Sequence, residues 1–534
     1  MKINRSFARC GRKFISVALC LVMMFTTFFI FEPSVLSELL PKASAWNFTT
    51  YATSTSGNKA GLTIDTSAKT AIVNTSDGFA YFLNSINHES NSGKGEFQGY
   101  TVTLNCDVFL QKSQTDLEGI TYSDGFYREN GTAWYGVLDG NGHCISNFRY
   151  HYDGKRDFTI GCFGLIKKMS GGEIKNLTLL NPHVYTYNRR SKVAYAGGAL
   201  IGKISSDSNS MFSTVNISNV TVSGAEVETG SKNGAKDSRE AGGLVGFIEK
   251  KTTFSNCKVE NSKIQRNNGG VRDGGFVGKS TAEVIIQNDT PAVSVDSSTI
   301  IFVDGWNDSD HGGLIGWTSG KTTIKNVIMN ATAYSGPSGG GFIGYIENAE
   351  ANITNSIMSG KVGAQNNCGG FIGNSSGATF NISNCNYSGT VTGNDNVGGI
   401  IGSGSGKLTM DQCNNTGTVT GNKYVGGIVG RAAGNTVTIT NSTNEGVVTA
   451  NNDYIGGILG GIEGINSSKF ENCTNSGTIT GKTWYIGGIV GASNNDSNIT
   501  FNNCKNTVNI SSPTNNYVGG IVGYAKGKTM MNNC

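Results

Sequence analysis

The feature that most constrains this chain is a five-residue signature, Gly-Gly-apolar-apolar-Gly, that returns at near-constant spacing. It reads GGLVG from Gly242, GGFVG from Gly274, GGLIG from Gly312, GGFIG from Gly340 and Gly369, and GGIIG from Gly398. It continues as GGIVG from Gly426, GGILG from Gly456, and GGIVG from Gly487 and Gly519, and a variant, GALIG from Gly198, opens the series. From Gly312 onward the spacings are 28, 29, 29, 28, 30, 31 and 32 residues, whereas the earlier 44, 32 and 38 imply insertions on the same scaffold. With 76 Gly, 6 Pro and 37 percent apolar residues, composition alone would permit a flexible low-complexity chain. A disordered tract, however, has no reason to keep apolar residues at fixed places.

A second landmark follows nearly every heading by 15 to 17 residues and is occupied by Cys257, Val327, Ser356, Cys385, Cys413, Ser442, Cys473, Cys504 and Cys534, with Val220 and Leu177 in the less regular upstream coils. Just before it stands an amide, as at Asn256, Asn355, Asn384, Gln412, Asn441, Asn472 and Asn503, which predicts an internal ladder bonding coil to coil. Six residues beyond the landmark come Val362, Val391, Val419, Val448, Ile479 and Ile510, a third inward column. Each unit thus holds three β-type runs: the heading, an alternating run such as 379–382, and a third such as 389–393. None buries its own apolar face, but stacked about 4.8 Å apart they share one core. A propeller blade would need about 40 to 45 residues, and helical repeats would show a 3.6-residue period.

The heading resembles the GLUG motif, a glycine-rich repeat of bacterial surface and secreted proteins that include IgA-cleaving peptidases of streptococci. The stretches 100–110 (YTVTLNCDVFL), 138–148 (LDGNGHCISNF) and 163–177 look like the usual lead-in, so the resemblance covers about residues 95–534. It implies an all-β fold, a pectin-lyase-like parallel β-helix with three short strands per coil, and it specifies an activity poorly. The hand preference of parallel crossovers makes that helix right-handed.

Residues 1–45 carry Lys2, Arg5, Arg9, Arg12 and Lys13, an apolar run over 15–31 and then Ala43, Ser44 and Ala45, the order of a cleaved secretory signal. The same run is just long enough to serve as an uncleaved anchor. These residues hold the whole net charge of +4, so the remainder is near neutral and nucleic-acid binding is disfavoured. Residues 46–95 form a cap region in which Phe79, Phe82, Leu83 and Ile86 fall at helical spacing behind Ser76 and Asp77, either of which could cap the first turn. Residues 96–197 form irregular first coils and 198–534 the repeat proper. Cys534 falls on the landmark of an unfinished coil, which suggests a longer protein whose further segment carries an anchor or another module.

Ten cysteines follow the signal, six of them in the landmark column, where stacked Cβ atoms stand too far apart for disulfides; buried free thiols are expected. No Cys-x-x-Cys or Cys/His spacing suggests zinc, GGxGxD nonapeptides are absent, and no cofactor or metal is implied. Asp308, Asp310 and His311 are the catalytic candidates, since carboxylates beside a histidine could supply general acid and base. Against them stands an exposed polar turn, nearby coils repeating no matching acid, Lys or Arg. Tyr424, Tyr454, Tyr485 and Tyr517 each precede a heading by two residues and form a column that either packs along the helix or stacks against a ligand's sugar rings. The leading expectation is a secreted or cell-surface scaffold or adhesin for host or cell-wall glycans or surface proteins, touching membrane only through its N-terminal segment or a C-terminal anchor. The alternative is a polysaccharide lyase or glycoside hydrolase working in a groove of the irregular coils between Gly198 and Gly312.

Overall fold

The structure is a computed structural model; it describes residues 57–87, 95–110, 121–122, 133–152, 160–188, 194–207, 210–231, 239–267, 272–303, 310–334, 336–464, 466–482, 484–494, 496, 498–510 and 517–534. The expected signal segment lies outside them, as does Asp308. The described residues belong to one compact unit, Thr49–Cys534, built almost wholly of strands.

Parallel pairing between successive units builds three sheets, one of 31 strands and two of 12. The residues before each heading form one of the smaller sheets; Arg272 pairs with Asp310 and Gly274 with Gly312, for example. The residues after the heading and the alternating run both join the large sheet, as Val245–Ile248 and Glu350–Met358 do. The third run, such as Lys361–Gly363 and Thr390–Thr392, makes the other small sheet. The fold is therefore the expected β-helical solenoid, with one correction: the heading is a corner rather than a strand. Its glycine pair lies where one short strand ends, and the next begins at the fourth heading residue.

The corner explains the glycines. A Cβ on Gly242 would stand 2.0 Å from the Val245 carbonyl oxygen, and one on Gly243 would stand 2.0 Å from the carbonyl of Gly275, its counterpart one coil on. The fifth glycine presses against the previous coil instead: a Cβ on Gly278 would lie 2.8 Å from the Ala241 nitrogen. The two apolar heading residues fill the interior, and Leu244, Val245, Phe276, Val277, Leu314 and Ile315 are fully buried.

The amide column before the landmark is not internal as expected. Asn256, Asn355, Asn384, Gln412, Asn441, Asn472 and Asn503 are all exposed, although Asn384 donates to Asn355 at 2.9 Å and Asn472 to Asn441 at 2.9 Å. Their backbones hold φ between 48° and 54°, the left-handed corner that asparagine tolerates better than other side chains. The column is thus selected by a bend, with the surface ladder as its by-product. A truly interior ladder lies three residues on: Asn415 donates to Asn444, Asn444 to Asn475 and Asn475 to Asn506, each at 2.8 Å. The landmark cysteines do face inward. Cys257, Cys385, Cys413, Cys473 and Cys504 are buried and approach backbone carbonyls, as Cys257 does that of Ile217 at 3.3 Å.

At the N-terminal end, helix α1 (Ser76–Asn87) buries Phe79, Phe82 and Leu83. Phe82 meets Phe97 and Trp134 edge-on at 5.4 and 5.7 Å. Its first turn is capped by Thr75, whose hydroxyl accepts from the Gly78 N–H at 3.1 Å, rather than by Ser76 or Asp77. Ser76 accepts instead from the Phe109 N–H at 2.9 Å, which ties the helix to a coil.

Candidate functional site, a concave elbow

Strand alternation sends every second side chain outward, and register then stacks those positions. Two residues before the headings, Glu240, Arg272, Asp310 and Ser338 line one outward column over successive coils. One residue after the headings, Lys203, Phe247, Lys279, Trp317 and Tyr345 line a second. The columns belong to adjoining strands, yet they touch. The Lys279 Nζ lies 3.7 Å from Glu240 Oε1, and the Arg272 guanidinium lies over the Trp317 ring at 4.4 Å. Outward side chains of adjoining strands converge only where the strands meet at a concave elbow, and the fifth glycine lets the strand after the heading approach the preceding coil there.

The richest chemistry of the elbow occupies the coils headed by Gly242, Gly274 and Gly312. Glu240 is 3 % exposed; burial pushes its carboxyl up to about 7 against the pull of Lys279, Arg272 and Lys203. Burial pushes Lys279 down, opposed by Glu240, and it pushes Asp310 up. Lys279 sits between two aromatic rings, 4.8 Å from Phe247 and 5.4 Å from Trp317.

Of the catalytic candidates, Asp310 lies in this elbow, partly buried, in register with Arg272. His311, the next residue of the same strand, faces the core. For His311 the expected exposed position is corrected: it is fully buried with its Nδ1 3.4 Å from an Asp273 carboxylate oxygen, and Asp273 is fully buried too, while 304–309 lie outside the described residues. Neither side chain has a hydrogen bond among the described residues. Asp310 and His311 thus do not act together, being on opposite faces of one sheet. The expectation that nearby coils hold no matching acid, Lys or Arg is also overturned, by Glu240, Arg272 and Lys279. These were within reach of the sequence. Glu240 and Arg272 stand at the same offset from their headings as Tyr424 does, and aligning units by the heading brings them into one column.

Farther along the same column stand the tyrosines. Tyr424 stacks on Tyr454 at 4.4 Å and 9°, Tyr454 on Tyr485 at 5.1 Å and 23°, and Tyr485 on Tyr517 at 5.2 Å and 12°. Tyr424 is buried, whereas Tyr517 is 50 % exposed and its neighbour Trp484 is 48 % exposed. Ring covers ring, so the column offers edges and hydroxyls rather than free faces to a sugar. Tyr424, Tyr454 and Tyr485 hold φ of 55°, 67° and 63°, a strained corner for an aromatic residue. Tyr424 also donates to Glu463, which accepts from Arg431 Nε at 2.8 Å. Among the described residues no cluster of three or more His, Cys, Asp or Glu is arranged to hold a metal ion.

Fold and elbow together define a parallel β-helical solenoid whose elbow is lined by charged and aromatic side chains. No family model matches the chain, and no curated protein matches it. A solved structure from Bacteroides ovatus, described as a "putative immunoglobulin A1 protease", is similar over 46 % of this chain and 78 % of its own, at 21 % identity and a TM-score of 0.33. A likeness of that degree assigns no activity.

Proposed function

We propose that this chain is an exported β-helical scaffold, secreted or held at the cell surface, that offers its elbow to an extended glycan of a host or cell wall. The observation that carries this reading is the pair of outward columns. Parallel pairing sets charged and aromatic side chains in rows, one step of about 4.8 Å per coil, which suits a ligand that is itself a repeat. Side chains already ordered by stacking lose little further entropy on binding. Export is supported by the charged, apolar and small-residue order of 1–45.

The test is a glycan array probed with residues 46–534, beside Lys279→Met and Trp484→Ala in the elbow and Thr420→Ala on another sheet. Capture of one glycan class that the elbow variants weaken and T420A leaves intact supports the reading. Silence on every glycan refutes it for carbohydrates and turns attention to surface proteins. A second reading, a polysaccharide lyase or glycoside hydrolase, is favoured by a carboxyl raised to about 7 beside a lysine pushed down, a pairing suited to acid–base work near neutrality. Polymer cleavage abolished by both Glu240→Gln and Lys279→Met would support it; polymer left intact would exclude it.

A further inference from the structure

The cations of the elbow differ in how they are satisfied. In the column after the headings, Lys168 holds Asp207 at 2.8 Å, Lys203 holds Glu249 at 2.7 Å, and Arg431 holds Glu463 at 2.5 Å. Each has a carboxylate at hydrogen-bond length. Among the described residues Lys279 and Arg272 have none so close: their carboxylate, Glu240, stands 3.7 and 4.0 Å away and is shared between them. Both are nevertheless held in place by aromatic rings, Arg272 over Trp317 and Lys279 between Phe247 and Trp317. A guanidinium held against an indole still presents N–H donors to a planar acceptor. Two ordered cations flanking one heading, that of Gly274, thus share one distant, deeply buried acid.

We propose that Arg272 and Lys279 form a carboxylate-binding site, and that the polymer taken by the elbow is an acidic glycan read through its carboxylate groups; this rests on the reading of the elbow as a polymer-binding face. The guanidinium fork takes the two oxygens of a ligand carboxylate, and Lys279 supplies the second charge. Glu240 lies behind them, facing Lys203, Arg272 and Lys279, with Glu249 and Asp310 among the other described acids of the elbow. Its carboxyl, raised to about 7 by burial, is uncharged on the acid side of neutrality and then does not compete with the ligand. An acidic peptide fits less well. Along the solenoid the elbow's strands are paired on both sides with neighbouring coils, which leaves no free edge for a peptide strand to join.

The experiment is calorimetric titration of residues 46–534 with a uronic-acid oligosaccharide, with its carboxyl-reduced neutral analogue, and with polyglutamate, each variant being checked for its fold by circular dichroism. The acidic oligosaccharide is expected to bind at least about tenfold more tightly than the neutral one. Arg272→Lys, which keeps the charge but loses the fork, and Lys279→Met should each remove most of that difference. Affinity should fall as pH rises through about 7, where Glu240 ionises, and Glu240→Gln should abolish the fall. Equal binding of the two oligosaccharides overturns the carboxylate site and leaves the polymer-binding face standing. Binding of polyglutamate alone overturns the glycan, and no binding at all overturns both readings.

Discussion

The interior amide ladder offers the sharpest test of how this solenoid is held together. Asn444 is fully buried, donates to Asn475 Oδ1 at 2.8 Å and to the Gly446 carbonyl at 3.2 Å, and accepts from Asn415 Nδ2 at 2.8 Å. Asn444→Ala leaves the Asn475 oxygen and the Gly446 carbonyl short of a donor and weakens the hold on the Asn415 amide. A buried polar group without its partner costs about 1–3 kcal/mol, so two such groups predict a loss of roughly 2–6 kcal/mol, toward the lower end where the site relaxes. The exposed ladder is the control: Asn381 donates to Asn352 at 2.9 Å in reach of water, and Asn381→Ala should cost less than about 1 kcal/mol. A stacked repeat opens locally, so a single melting point is a poor measure. Hydrogen-exchange mass spectrometry over 437–450 is the better assay, where about 3 kcal/mol accelerates exchange by about two orders of magnitude. Equal effects at Asn444 and Asn381 would refute the claim that burial makes the ladder matter.

Four further outcomes follow from the same geometry. Glu240 has a folded pKa of about 7 against 4.5, so it favours the protonated fold; the contribution is fully present below about 4.5 and is lost as pH rises through 7, roughly 3 kcal/mol in all. Urea titrations across that window should show the decline in wild type and a flatter profile in E240Q. Removing His311 alone leaves the buried Asp273 carboxyl without its one polar neighbour among the described residues and should destabilise more than replacing both by leucine; equal losses in thermal unfolding would contradict this. Gly278→Ala drives a Cβ into the Ala241 backbone and should cost at least about 1–3 kcal/mol, while Gly404→Ala, whose nearest neighbour is 3.6 Å away, should be neutral within about 0.5 kcal/mol. Burial pushes the thiols of Cys257, Cys368 and Cys385 up to about 12, so a thiol reagent should reach exposed Cys534 in the folded chain and these three only after unfolding.

Much of the architecture was legible because a repeat displays its own register. Headings spaced like those from Gly312 to Gly519 oblige equivalent positions to stack, and an apolar pair such as Leu244 and Val245 can lie only inside. The helix over Ser76–Asn87 was equally open to reading, since Phe79, Phe82 and Leu83 keep its period. The Asn column was found and its placement missed. A run of amides at one offset is compatible with an interior ladder and with a left-handed corner, and φ alone separates the two.

The amino-acid sequence by itself determined that the units stack and which residues share a column, because period and register are one-dimensional facts. Only the tertiary structure decided which columns face one another across the elbow. Beside the heading, Gly278 packs against the Ala241 backbone of the preceding coil. That contact, between residues 37 apart in the chain, is what turns Glu240, Arg272 and Lys279 from scattered charges into one site.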